Sequence, residues 1–280
     1  MNIQWFPGHM TKTKRAIIED IKLIDVVIEL VDARIPLASQ NPDIDTLSAG
    51  KPRVRVFNKS DLADAAVTDL WVNFYKDKGY KTVVINSISG SGISDVLSAV
   101  RDVLDKKIKA DAAKGLNKNI KMMIVGVPNV GKSSFINKLS KKSSAKTGDK
   151  PGVTRGKQWI RLGNGYDLLD TPGILWPKFD DQSVGVKLAC TGAIKDEILD
   201  SEELACCLIS ILRKHYPDEL CERYKLSDIG YLMDYEILEM IGKNRGFLRA
   251  GGVIDTERAS KILLDEFRGG KIGRISLERP

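Results

Sequence analysis

Apolar residues along the chain fall into two kinds of run, and the change from one to the other divides it. Up to about residue 177 short, nearly unbroken apolar stretches recur: Val26-Val-Ile-Glu-Leu-Val31 before Asp32, Val54-Arg-Val-Phe57, Thr82-Val-Val-Ile85 and Met122-Met-Ile-Val125. Runs of four to eight such residues predict strands buried on both faces of a parallel sheet. Helical spacing separates them: Ala16, Ile17, Ile21 and Ile24, then Trp71, Phe74 and Tyr75, then Ile93 to Leu104. Gln158–Leu162 and Tyr166–Asp170 predict a hairpin across Gly163-Asn164-Gly165. From residue 178 onward only helical spacing remains, as in Leu204, Leu208, Ile211 and Leu212, or in 256–267. The expected fold is therefore α/β over 1–177, a mostly parallel sheet with helices on both faces, followed by an all-α region over 178–280. Residues 105–118 hold Lys106, Lys107, Lys109 and Lys114 with few apolar neighbours, and read as a basic linker, flexible or loosely helical.

The ends of the predicted strands carry the chemistry. The run ending at Val125 opens into Gly126-Val-Pro-Asn-Val-Gly-Lys-Ser133, the GxxxxGKS of a phosphate loop, and an amphipathic helix follows (Phe135, Ile136, Leu139). Gly126 and Gly131 permit a backbone that turns N–H groups toward phosphate oxygens at a helix N-terminus, a cradle formed by Asn129, Val130, Gly131 and Ser134. Lys132 is placed to reach the β and γ phosphates, and Ser133 to ligate Mg2+. A second strand ends in Asn58-Lys59-Ser60-Asp61. Asp61 can accept from the N1–H and N2 amino group of guanine, Asn58 can bond its outer edge, and the Lys59 stem can cover the ring face. Asn86-Ser87, after the next strand, can offer a backbone N–H to the base oxygen. Thr154 can supply a second Mg2+ hydroxyl and sense the γ phosphate. In Asp170-Thr-Pro-Gly173, Asp170 can hold Mg2+ through water and the Gly173 N–H can meet the γ phosphate. GTP and GDP are the expected ligands.

Composition narrows the remaining classes. With 42% apolar and 29% charged residues among 280, the chain can bury a substantial core, and no stretch is apolar for the roughly 18 residues of a membrane helix. A cytoplasmic, monomeric protein without a membrane span is expected. Cys190, Cys206, Cys207 and Cys221 form no CxxC pair, so buried free thiols are expected. The net charge of +7 favours an anionic partner, and it is uneven: +10 over residues 1–180 and −3 over 181–280.

Guanine-binding domains usually run from phosphate loop to switch threonine, DxxG, NKxD and the final base-contacting turn. Here NKSD and the 86–90 turn come first, which describes a circular permutation whose junction is the basic 105–118 segment. With Gln4-Trp-Phe-Pro-Gly-His-Met10, Asp32-Ala-Arg-Ile-Pro36 and Pro151-Gly-Val-Thr154 added, the chain resembles the bacterial ribosome biogenesis GTPase A (YlqF) family over essentially its whole length. The resemblance implies a GTPase that binds the immature large (50S) ribosomal subunit and its rRNA, slow alone and stimulated by ribosomal particles. It also implies a catalytic role for His9, since Ile174 stands where many GTPases carry the Gln that orients water. Related PNxGKS loops use the residue matching Asn129 to coordinate K+. Lys243, Arg245, Arg249 and Arg274 are the basic residues expected to meet rRNA phosphates. The alternatives are an RNA-binding scaffold in which GTP locks a conformation and hydrolysis is incidental, and a tRNA-modifying GTPase, which would be expected to carry a further cofactor domain.

Overall fold

The computed structural model describes residues 17–48, 50–142, 158–171, 173, 179 and 181–280. The expectations for His9, Lys12–Ala16, Thr154 and Ile174 lie outside the described residues. Two compact units emerge: one runs through Lys178 and includes Glu278–Pro280, and the other spans Phe179–Leu277.

The first unit is built on six strands: β1 (Val26–Asp32), β2 (Arg53–Asn58), β3 (Lys81–Val84), β4 (Ile120–Val125), β5 (Gln158–Gly163) and β6 (Tyr166–Asp170). Their order is β3-β2-β1-β4-β6-β5. All neighbours pair in parallel except β5 and β6, which form the antiparallel hairpin across Gly163, Asn164 and Gly165, at φ of 74°, 51° and 82°. Every residue of the central β1 is buried, as a strand covered on both faces must be. From β1 the chain winds outward to β3, then returns to β4 on the other side of β1. Reversals of this kind leave a crevice at the carboxyl ends of the strands, which is where open α/β sheets bind ligands.

Among the described residues of this unit, α1 (Asp43–Leu47), α2 (Ala65–Asp77), α3 (Ile93–Ala113) and α4 (Lys132–Lys142) follow the strands, and helical residues 17–20 with a 3-10 turn at Ile21–Leu23 precede β1. Asp64 caps α2 by accepting the Ala66 and Val67 N–H groups, and Trp71 and Tyr75 then pack with Phe57, Val31 and Ala63. Helix α3 runs nine residues past Leu104, its last buried position. The expected linker over 105–118 is therefore largely helix. Apolar periodicity stops where burial stops, but Ala and Lys still favour helix, and Lys109 pairs with Asp105 one turn away at 2.8 Å.

The second unit contains α5 (Gln182–Cys190), α6 (Ser201–His215), α7 (Pro217–Tyr224), α8 (Asp234–Asn244) and α9 (Thr256–Arg268). Leu204, Leu208 and Leu212 on α6 and Leu263, Leu264 and Phe267 on α9 are buried, and α6 packs against both α8 and α9. Among the described residues only Cys190 of the four thiols is fully buried; Cys206, Cys207 and Cys221 are partly exposed, because they stand on the flanks of the helix stripes. No helix among the described residues is long and apolar enough to cross a membrane.

Candidate nucleotide-binding site

Five loops meet at the carboxyl edge of the sheet because five parallel strands end there: Asp32–Pro36 after β1, Asn58–Asp61 after β2, Asn86–Gly90 after β3, Gly126–Gly131 after β4, and Asp170 to Gly173 after β6. The strand register sets their proximity. Asp32 lies opposite Asn58, and Ile124 opposite Asp170.

In the phosphate loop Asn129 and Gly131 have φ of 57° and 99°, the left-handed values that turn the backbone inward ahead of α4. Lys132 Nζ folds back over the loop and donates to the Gly126 and Val127 carbonyls at 2.9 and 3.0 Å. Burial pushes its pKa down to about 8, with Asp170 acting in the opposite sense. Gly173 comes close to this loop: a Cβ there would lie 3.0 Å from Lys132 Nζ and 3.1 Å from Pro128. The Thr171 hydroxyl donates to the Ile124 carbonyl at 2.5 Å, which ties the β6 end to the strand that feeds the loop.

Asn58 braces this edge from two sides. Its side chain is buried, with the amide nitrogen donating to the Val130 carbonyl at 2.7 Å and the amide oxygen accepting from the Ser87 N–H and hydroxyl at 3.1 and 2.7 Å. The reason is spatial: only β1 separates β2 from β4, so Asn58 at the end of β2 reaches the phosphate loop that follows β4. A Cβ on Gly131 would overlap the Asn58 amide nitrogen, so glycine is required there by packing as well as by φ. Ser87 is buried against Asn58, whereas Asn86 turns inward on its own loop and accepts from the Ile88 and Ser89 N–H groups at 2.8 and 3.0 Å. Asp61 is exposed at the same edge, and Ser133 and Ser134 are exposed on the first turn of α4.

Sequence reading passed over one set of residues. Asp32 is buried and accepts from the Arg34 backbone N–H at 3.1 Å, from Arg34 Nε at 3.0 Å and Nη2 at 2.8 Å, and from Lys59 Nζ at 3.0 Å. Burial alone would raise the Asp32 carboxyl, but the two cations hold it well below the usual carboxylate range. Lys59 itself sits at φ 60°. An acid closing a strand and an arginine two residues on were visible in the sequence, but nothing there joined them to Lys59.

Comparison with known proteins agrees with this geometry. The family described as 50S ribosome-binding GTPase matches residues 121–230, beginning at β4 and leaving the Asn58–Asp61 segment upstream, as a permuted order requires. Ribosome biogenesis GTPase A of Bacillus cereus is 51% identical over 281 residues, covering 100% of this chain and 95% of the relative. The chain belongs to the ribosome biogenesis GTPase A family. Its Thermotoga maritima member is 34% identical over 99% of this chain and 95% of its own. A GDP-bound YlqF structure has a TM-score of 0.72 at 29% identity, covering 95% of this chain and 99% of that one. The GNP-bound YlqF of T. maritima has a TM-score of 0.67 at 29% identity, over 96% and 98% of the two chains.

Within this family member the donor set fits a magnesium-bound nucleotide. Asp170 is a buried acid within electrostatic reach of Lys132, and the Ser133 hydroxyl stands on the helix turn that the phosphate loop enters. In the helical unit, two of the expected RNA contacts are engaged with acids. Arg245 lies 3.2 Å from Glu266, which also accepts from Arg223 and from the Tyr224 hydroxyl, each at 2.9 Å; Arg249 pairs with Asp255 at 2.9 Å and Glu257 at 3.1 Å. Lys243, Arg249 and Arg274 are all exposed.

Proposed function

We propose that this protein hydrolyses GTP to GDP and phosphate in a cycle that controls its hold on the assembling large ribosomal subunit. The observation that carries this reading is the union of phosphate loop and guanine segment through Asn58, Val130 and Ser87, within a chain that is half identical to ribosome biogenesis GTPase A. Asp61, exposed at the strand edge, selects guanine; Lys59 covers the ring; and Ser87 and Asn86 shape the turn over the base oxygen. Phosphate oxygens are taken by the N–H groups of Asn129 through Ser134 and by Lys132, which exchanges its loop carbonyls for the ligand. Ser133, Thr154 and Asp170 would hold Mg2+, which would supply positive charge against the phosphates. The Gly173 N–H meets the γ phosphate.

With Ile174 unable to orient water, His9 takes that part, and Asn129 holds a K+ ion beside the phosphates. Loss of the γ phosphate changes the segment after Gly173, which leads directly into the helical unit, so nucleotide state sets affinity for rRNA. Lys243, Arg249 and Arg274, which are exposed, are candidates for phosphate contacts there, along with the lysines of α3. The test is the GTPase rate with and without purified large subunits, in the wild type and in His9→Ala. We expect stimulation in the wild type and a loss of about 10²- to 10⁴-fold in the variant. A wild-type rate indifferent to the subunit, or an unimpaired variant, would refute the corresponding half.

A further inference from the structure

The last residues of the sequence do not share the surroundings of those before them. Ile275, Ser276 and Leu277 are buried in the helical unit, where the Ser276 N–H donates to the Tyr216 hydroxyl at 3.1 Å. Glu278 instead belongs to the nucleotide-binding unit and is 6% exposed. Its Oε2 accepts the Leu37 N–H at 2.8 Å, its carboxylate oxygens accept the Ala38 N–H at 3.1 and 3.2 Å, and its backbone carbonyl accepts from Trp71 Nε1 at 3.3 Å.

Leu37 and Ala38 lie in the reversal that leaves β1. In that reversal the Ser39 Oγ accepts the Asp32 N–H at 2.9 Å and donates to the Ile35 carbonyl at 2.7 Å. The Asp32 carboxylate in turn is bonded to Arg34 and, at 3.0 Å, to Lys59 in the Asn58–Asp61 segment. Hydrogen bonds, joined by the short backbone of one turn, thus lead from Glu278 to a lysine of the guanine segment. An ionised acceptor on two adjacent N–H groups is a strong anchor, and its removal would leave the buried Ala38 donor unpaired.

We propose that Glu278 is a positioning residue for guanine-nucleotide binding, holding the 34–40 reversal so that Asp32 fixes Lys59. Glu278 touches neither base nor phosphate in this account. It acts on affinity through the turn, and the inference rests on the reading of Asn58–Asp61 as the guanine-recognition segment.

The experiment uses the full chain with Glu278→Gln or Glu278→Ala, and a version ending after Leu277. Steady-state GTP hydrolysis, titration with a fluorescent GDP analogue and thermal melting are measured on each. We expect KM for GTP and Kd for GDP to rise about 2- to 5-fold in Glu278→Gln, which keeps one acceptor, and about 5- to 30-fold in the other two, with kcat retained. A merely structural latch would lower the melting temperature and the active fraction but leave KM unchanged, and that pattern overturns the proposal, as do wild-type values throughout. If the shortened chain fails to fold, Glu278→Gln decides the matter. Asp61→Asn, measured alongside, separates the two readings. If it leaves guanine binding intact, the recognition segment is misassigned. If it abolishes guanine binding while the Glu278 variants keep the wild-type KM, the positioning role alone fails.

Discussion

The Asn58 side-chain amide donates to the Val130 carbonyl at 2.7 Å across 72 residues of sequence, joining the Asn58–Asp61 segment to the phosphate loop. The same amide presses on Gly131, where no Cβ can be accommodated. Asn58→Asp would turn a buried donor into an acceptor facing a carbonyl, a loss of about 2 to 3 kcal/mol, or roughly 30- to 150-fold in affinity if expressed wholly in binding. Gly131→Ala should do at least as much by displacing Asn58. GDP-analogue titration of both variants checks this; wild-type affinity in either would show that the two segments do not depend on one another.

Asp61 is exposed at the strand edge, where the proposed reading has its carboxylate select the base. Asp61→Asn should weaken GTP binding by about 1 to 3 kcal/mol and favour xanthosine triphosphate, whose C2 oxygen can accept from the new amide. Competition between the two nucleotides measures it, and an unchanged preference for GTP would remove Asp61 from the base site.

Lys132 carries a pKa lowered to about 8 from the ordinary lysine value of 10.5. Between those limits the unfolded chain binds more protons than the folded one, so this lysine's cost to stability is full below pH 8 and is relieved as pH rises toward 10.5. Nucleotide-free wild type should therefore gain stability relative to Lys132→Met as pH goes from 7.5 to 9.5, by melting temperature. Bound phosphate should reverse the shift, and GTP binding near pH 9 should take up protons, measurable by calorimetry in buffers of different ionisation heat. Parallel melting curves for the two proteins would contradict the shift.

Asn129 holds a left-handed φ of 57° inside the phosphate loop, which an asparagine tolerates better than most residues. If its side chain also holds K+, hydrolysis should be faster in KCl than in NaCl, and Asn129→Gly, which keeps the backbone, should abolish the difference. Equal wild-type rates in the two salts would confine Asn129 to its backbone role.

How much of this was legible beforehand follows from the range of the interactions. Local patterns sufficed for β1, β2, β3, β4 and the β5–β6 hairpin, because a strand covered on both faces must be apolar throughout and a tight turn must contain residues tolerant of positive φ. They also sufficed for the phosphate loop and for the rotated order of the motifs, since spacing along the chain is all these require. The length of α3 was misjudged because hydrophobic periodicity reports burial, and a helix can outlast it on propensity alone. What tertiary structure alone decided was pairing between distant segments. Asn58 became a brace between two loops once the sheet order set it near Val130; Arg34, legible only as a loop residue, became the partner of Asp32; and Glu278, far from both along the sequence, became an acceptor for Leu37 and Ala38. Each residue's type was evident from the start, but a side chain's hydrogen-bonding capacity is spent on whichever neighbours the fold supplies, and those neighbours are set by strand order and register rather than by adjacency in the chain.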